Sequence, residues 1–213
     1  MSELDIIAPL NCQKCQRLAA FLKIQNEQHP DWHNAPVPSF GPATARLLIL
    51  GLAPGLRGAN ATGRPFTGDH AGQTLYNTLL AHKFAIGQYA EDGNDSLTLP
   101  DTRISNAVRC VPPQNKPTTE EVHNCRPYLD VELAKMQNLQ IILSLGKISH
   151  DSILRHFGFK LRRFPFAHEA IHRLDNGLIL VDSYHCSRYN TQTGRLTQKM
   201  FDAVFDKIKD LLV

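Results

Sequence analysis

Four of the five cysteines in this chain stand where thiolates can share a metal site. Cys12 and Cys15 form a C-x-x-C pair at the start of a helical pattern, Cys110 is read as closing a strand, and Cys125 lies inside the helical pattern that follows. One close pair, plus two thiolates brought in by a long loop that the metal would close, suits a four-cysteine site. Zinc and an iron-sulfur cluster both satisfy that reading. The plainer account is that some of these cysteines are simply core residues, since free cysteine is among the most buried types. Cys186 stands in a polar loop far from the others and is left outside the site.

A second concentration of chemistry lies in the glycine-rich stretch from Gly51-Leu52-Ala53-Pro54-Gly55 to Gly63-Arg64-Pro65-Phe66-Thr67-Gly68-Asp69-His70-Ala71-Gly72. Glycine density after a strand permits close approach of the backbone to a ligand and leaves amide donors free. Neither G-x-x-x-x-G-K-[ST] nor G-x-G-x-x-G is present, so an NTPase and a dinucleotide enzyme are both unsupported. Asp69 reads equally as a helix cap or turn residue and as a catalytic carboxylate. Phe66 reads first as a core residue anchoring the loop.

These residues need elements to position them. Apolar runs at Arg46–Leu52, Arg103–Cys110, Gln140–Leu145 and Leu178–Tyr184 predict buried strands. Helical periodicity covers Thr74–Phe84, Thr118–Met136, Lys147–Phe157 and Thr197–Leu212. Thr118-x-x-Glu121 reads as a capping box, and Pro127 within that pattern predicts a kink or break. The segment Gly87–Pro100 reads as a surface excursion. Alternating strand and helix predict an α/β fold with a mostly parallel sheet, helices on both faces, and ligands bound beyond the carboxyl ends of the strands.

At 213 residues the expectation is one domain spanning 1–213. Hydrophobic residues at 42% and charged residues at 20% exclude a predominantly disordered chain. A net charge of +3 is compatible with nucleic acid but does not require it. The apolar runs are too short to cross a bilayer and no signal core opens the chain. An odd cysteine count without a secretion signal argues for a reducing compartment. The basic run Lys160, Arg162 and Arg163 reads as a solvated face in preference to a DNA footprint.

Taken together, Gly51-Leu-Ala-Pro-Gly55, Arg64-Pro-Phe-Thr-Gly-Asp69, Asn106-Ala-Val-Arg-Cys-Val-Pro-Pro113, Ser183-Tyr-His-Cys-Ser-Arg-Tyr-Asn190 and the four cysteines resemble family 5 (type b) of the uracil-DNA glycosylases. The resemblance runs from Cys12 to about Leu196. Family 4 fits less well: it usually carries an acidic residue where this chain has Leu52, and it lacks the aspartate at position 69. Departures from the family pattern are Cys186 in place of proline, Ala71 where serine is common, and Gly55 in place of alanine. They bear on loop conformation and substrate range.

The resemblance implies a three-layer sandwich around a four-stranded parallel sheet, a 4Fe-4S cluster on Cys12, Cys15, Cys110 and Cys125, and double-stranded DNA as substrate. An enzyme of this kind extrudes the nucleotide and holds its base by face and edge. Phe66 matches the stacking position. Asn106 offers the donor and acceptor needed to read the uracil edge, with a strand-capping amide as its plainer reading. His185 and the amides around Leu52 and Ala53 would stabilise charge developing on the departing base, Gly51 joins them in binding the substrate, and Asp69 would polarise the attacking water. Ser187, Arg188 and Tyr189 suit phosphate contacts and wedging into the duplex, though Arg188 also reads as a solvated charge. Leu52 goes, in the family, with action on deaminated purines such as hypoxanthine. The expected agent is a monomeric, cytoplasmic and nucleoid-associated repair hydrolase. The rival readings are a catalytically inactive iron-sulfur protein that binds DNA or senses redox state, and a zinc-stabilised hydrolase acting on free nucleotides.

Overall fold

The computed structural model describes residues 8–212. Five strands form one sheet: β1 (Leu47–Gly51), β2 (Thr102–Asn106), β3 (Ile141–Leu145), β4 (Ile171–Arg173) and β5 (Ile179–Ser183), in the order β2-β1-β3-β5-β4. The pairs β1–β2, β1–β3 and β3–β5 are parallel, with Gly51 opposite Asn106 and Leu145 opposite Ser183 at their carboxyl ends. Every residue of β1, β2 and β3 is buried, as a parallel sheet covered on both faces requires.

Among the described residues seven α-helices accompany the sheet: α1 (Gln16–Gln28), α2 (Ala59–Thr62), α3 (His70–Ala81), α4 (Thr119–Lys135), α5 (Lys147–His156), α6 (Arg188–Gln192) and α7 (Gln198–Leu211). The two-residue period of a strand divides the core. Leu47, Ile49, Ile141 and Leu143 meet Leu75 and Leu79 of α3 and Phe201, Val204, Phe205 and Ile208 of α7. Leu48, Leu50 and Ile142 meet Leu129 and Leu133 of α4 and Ile153 and Leu154 of α5 on the opposite face. A third cluster packs Leu18 and Leu22 of α1 against Val108, Val111 and Val122. Among the described residues no helix is long and apolar enough to cross a membrane.

Three expectations need correction. The sheet has five strands, because β4 adds an antiparallel edge to β5. Its three residues, Ile171-His172-Arg173, are largely outward-facing and carry no apolar run to betray them. The second strand ends at Asn106, so Cys110 lies beyond it. The apolar run continues past the strand because Val108 and Val111 face α1 and not the sheet. The helix α4 runs unbroken through Pro127. Proline removes the bond to the His123 carbonyl, but both residues are exposed and water can take that acceptor. The segment Gly87–Pro100 runs over the surface as read and is anchored there: Asp95 accepts from Arg64 at 2.6 Å and 2.8 Å, and Leu97 and Leu99 are buried.

The capping box forms as read, with Thr118 Oγ1 accepting from the Glu121 amide and Glu121 Oε2 accepting from the Thr118 amide. From the middle of α4, buried Glu132 accepts from Arg103 Nε at 2.6 Å, Ser105 Oγ at 2.7 Å and Arg109 at 2.5 Å. One carboxylate thereby fixes β2 on both sides of Asn106.

Candidate active site

The carboxyl ends of β1, β2 and β5 open into a cavity of about 660 Å³. Its wall carries Leu52, Ala53, Phe66, Asp69, Asn106, His185, Ser187 and Arg188, all of them named from the sequence. Parallel strands deliver these residues to one end of the sheet although they lie up to 136 positions apart in the chain, the separation of Leu52 and Arg188.

Asn106 is the last residue of β2 and only 3% exposed, yet among the described residues nothing hydrogen-bonds its side-chain amide. A buried amide normally finds partners, so this one presents an unused donor and acceptor to the cavity. Gly51 lies behind it and is not on the wall. A Cβ there would fall 2.4 Å from Asn106 Oδ1 and 2.6 Å from Phe66 Cζ, so only glycine lets both side chains close over the strand end. Phe66 has φ +53, a left-handed conformation rare for a bulky residue, and its ring lies 5.8 Å from the His185 ring at an interplanar angle of 25°.

Asp69 caps α3, its Oδ1 accepting from the Gly72 amide at 2.9 Å. The capping reading and a catalytic position are therefore not exclusive. The helix begins at His70, four residues before the apolar periodicity shows it. Oδ2 lies against Gly55 and Gly58, where an added Cβ would stand 2.8 Å and 2.5 Å away. Burial pushes the His185 imidazole below its ordinary 6.5, opposed by the Asp69 charge, so it is neutral at physiological pH. The Ala53 amide has no internal acceptor among the described residues and remains available as a donor.

The His185 loop is anchored to α3. Cys186 is fully buried and its thiol donates to the Ala71 carbonyl at 3.4 Å, so two of the departures from the family pattern touch each other. His70 Nε2 meets Thr191 Oγ1 at 2.8 Å, and Asn190 Nδ2 donates to the His185 carbonyl at 2.8 Å. Ser187 caps α6. Tyr189 is 71% exposed and stands off the cavity wall. Sequence reasoning missed Arg57, His70 and Asn115 on the wall. A positive charge in the glycine-rich loop was the one signal for Arg57. The basic Lys160–Arg163 run follows α5, which starts at the cavity end of β3 and runs back, and Arg163 pairs with Asp175 in the β4–β5 turn. That run lies at the far end of the sheet.

Cys12, Cys15, Cys110 and Cys125 line one small cleft between α1, residues 108–110 and α4, with the Arg109 amide donating to Cys125 Sγ at 3.3 Å. Tetrahedral zinc, at about 2.3 Å from each sulfur, holds its four sulfurs about 3.8 Å apart. Among the described residues no three of these sulfurs lie within 4.8 Å of one another. The four side chains supply an all-thiolate donor set. Among the described residues a tight group of this kind forms from His150, His172 and Asp182, where Asp182 accepts from Ser144 Oγ at 2.7 Å and faces His150 Nδ1 at 2.8 Å in the core.

Residues 38–209 match the family model of the uracil DNA glycosylase superfamily. The chain is 42% identical over 207 residues to a type-5 uracil-DNA glycosylase of Thermus thermophilus, covering 94% of this chain and 93% of that one. A type-5 uracil-DNA glycosylase of Mycobacterium leprae is 37% identical, with 94% and 91% covered. A type-4 uracil-DNA glycosylase of Saccharolobus solfataricus is 32% identical, with 76% and 63% covered.

Proposed function

The chain belongs to the uracil DNA glycosylase superfamily and groups with its type-5 members, and from that premise we propose that it excises uracil from double-stranded DNA. The reaction is hydrolysis of the N-glycosidic bond: water adds at C1′ of the sugar, the base departs with the bonding pair, and an abasic site remains. The observation that carries this reading is the Asn106 amide, buried at a strand end with both its donor and its acceptor unused and facing the cavity. Such a pair matches the O4 and N3–H edge of uracil and mismatches cytosine.

The other groups take roles that the geometry supports. The extruded base slides against the Phe66 ring, which the left-handed backbone and Gly51 hold over the strand end. Neutral His185 and the Ala53 amide donate toward the base oxygen as negative charge develops there. Asp69 orients the attacking water and offsets positive charge on the sugar. Gly51 serves the base pocket from behind, by letting Asn106 and Phe66 close over the strand end, and the apolar Leu52 on its wall leaves it few uracil-specific groups, so hypoxanthine is a second expected substrate. Arg188, Ser187 and Tyr189 grip and wedge the duplex.

Cys12, Cys15, Cys110 and Cys125 would hold a 4Fe-4S cluster, which supplies an inorganic brace between the start of α1 and α4. The proposed active unit is a monomer working in the cytoplasm on nucleoid DNA, since every group assigned above comes from one chain. A catalytically inactive binding protein is disfavoured, because binding alone gives no reason for Asp69, Asn106 and His185 to converge.

Incubation with a duplex carrying one uracil opposite guanine should release free uracil and leave an alkali-labile site in an otherwise intact strand. Folded protein that releases neither uracil nor hypoxanthine would overturn the proposal. Anaerobically purified protein should be brown and contain iron and sulfide in equal amounts. Colourless protein with stoichiometric zinc would remove the cluster while leaving the glycosylase reading in place.

A further inference from the structure

The cavity mouth has two flanks. The loop after β5, which carries Ser187 and Arg188, forms one. The other comes from the opposite side of the sheet, where β2 is the edge strand and the chain beyond it returns to the rim at Asn115. Between them, on the loop after β1, stands exposed Arg57.

The tip on the β2 side is built in an uncommon way. Gln114 and Asn115 both have left-handed backbone, with φ +57 and +56. Two consecutive residues of this kind cost free energy unless their surroundings impose the conformation. Here Pro112 and Pro113 precede them and Pro117 follows. The Asn115 amide donates to the Pro112 carbonyl at 3.1 Å and the Lys116 amide to the Pro113 carbonyl at 3.2 Å. From behind, Arg17 of α1 donates to the Lys116 carbonyl at 3.1 Å while paired with Glu121. The result is a stiff turn whose three exposed side chains are an amide, a second amide and an ammonium group. Among the described residues no acidic group pairs with Lys116 or Arg57; Arg57 lines the mouth, and exposed Lys116 adjoins Asn115 on its rim.

We propose that the turn Gln114–Lys116 is a second grip on the DNA backbone, in which Asn115 and Lys116 hold phosphates on the β2 side of the mouth while Arg188 holds the β5 side. A mouth gripped on one flank only would let the duplex pivot when a nucleotide leaves the stack. Two grips separated by the width of β1 and β3 fix its register. Phosphate is the partner that suits these groups, because amide and ammonium donors at a rim meet backbone oxygens before base edges. This inference rests on the reading of the chain as a DNA glycosylase.

The test measures binding to a duplex containing a stable abasic-site analogue across a salt series. Lys116→Gln should reduce the slope of log K against log salt by about 0.9, the value for one lost phosphate contact. Lys160→Gln, at the far end of the sheet, should leave the slope unchanged. Asn115→Gly keeps the left-handed turn and removes only the amide, and should weaken binding about fivefold to tenfold. A thermal melt within about 2 °C of wild type confirms that the turn survives. Wild-type protein that binds the duplex, alongside Lys116→Gln and Asn115→Gly variants of equal affinity and slope, overturns the second grip alone. Wild-type protein that neither binds the duplex nor releases a base overturns the glycosylase reading and this inference with it.

Discussion

His185 is held in surroundings that remove its charge, and the consequence reaches beyond the reaction. Burial pushes its imidazole below the ordinary 6.5 while the unfolded chain keeps that value. The unfolded state therefore binds the proton first as pH falls. His185 contributes stability that is fully present above about pH 6.5 and is lost as pH drops through the lowered folded value. His168 is shifted the same way, again chiefly by burial. The urea midpoint should fall between about pH 7.5 and about pH 5, and His185→Gln should remove part of that fall. An unchanged pH dependence in the variant would contradict a buried neutral imidazole. Gly51 sets the neighbouring constraint. Gly51→Ala places a methyl within 2.6 Å of both Asn106 and Phe66, and should slow uracil release at least about tenfold through displacement of the two groups. Release at the wild-type rate would show that they do not act together.

At the scale of elements, the strand end carrying Asn106 depends on α4. Burial pushes the Glu132 carboxyl up, but the Arg109 and Arg103 charges beside it more than reverse this, holding it below its ordinary 4.5. Glu132→Gln leaves two largely buried guanidinium groups without their counter-charge, a change that costs about 3–5 kcal/mol. A fall of roughly 10 °C in Tm is expected for a chain of this size. A shift under about 2 °C would mean that water, and not Glu132, compensates these arginines. None of this clamp was legible in the sequence, because the four residues have no common spacing and meet only after α4 lies on the sheet. The capping box of α4 was legible because both of its bonds are local. The strand β4 was not, since an exposed three-residue edge has no periodicity to read.

At the scale of the molecule, the central architecture was legible because apolar runs and helical periods alternate, and that alternation admits few topologies. The candidate site was legible for a related reason: its motifs lie at strand ends or in the loops that follow them, and parallel strands bring their ends together. Arg57, His70 and Asn115 were missed because a wall is completed by loops whose paths no local pattern reports. The layer formed by α1 and residues 108–125 has a small apolar cluster of its own and no strand. It should be the part most dependent on its cysteines. Cys110→Ser should raise amide exchange in residues 9–28 and 107–125 while the sheet stays protected. Uniform loss of protection would deny the cysteines a local role. In the proposed reaction Asp69 acts chemically at the site and does not merely cap α3. Single-turnover uracil release by wild type and by Asp69→Asn separates the two, because asparagine keeps the acceptor for the Gly72 amide and removes the charge. Release by Asp69→Asn should be slowed by about a hundredfold or more with Tm unchanged. Equal rates would contradict it.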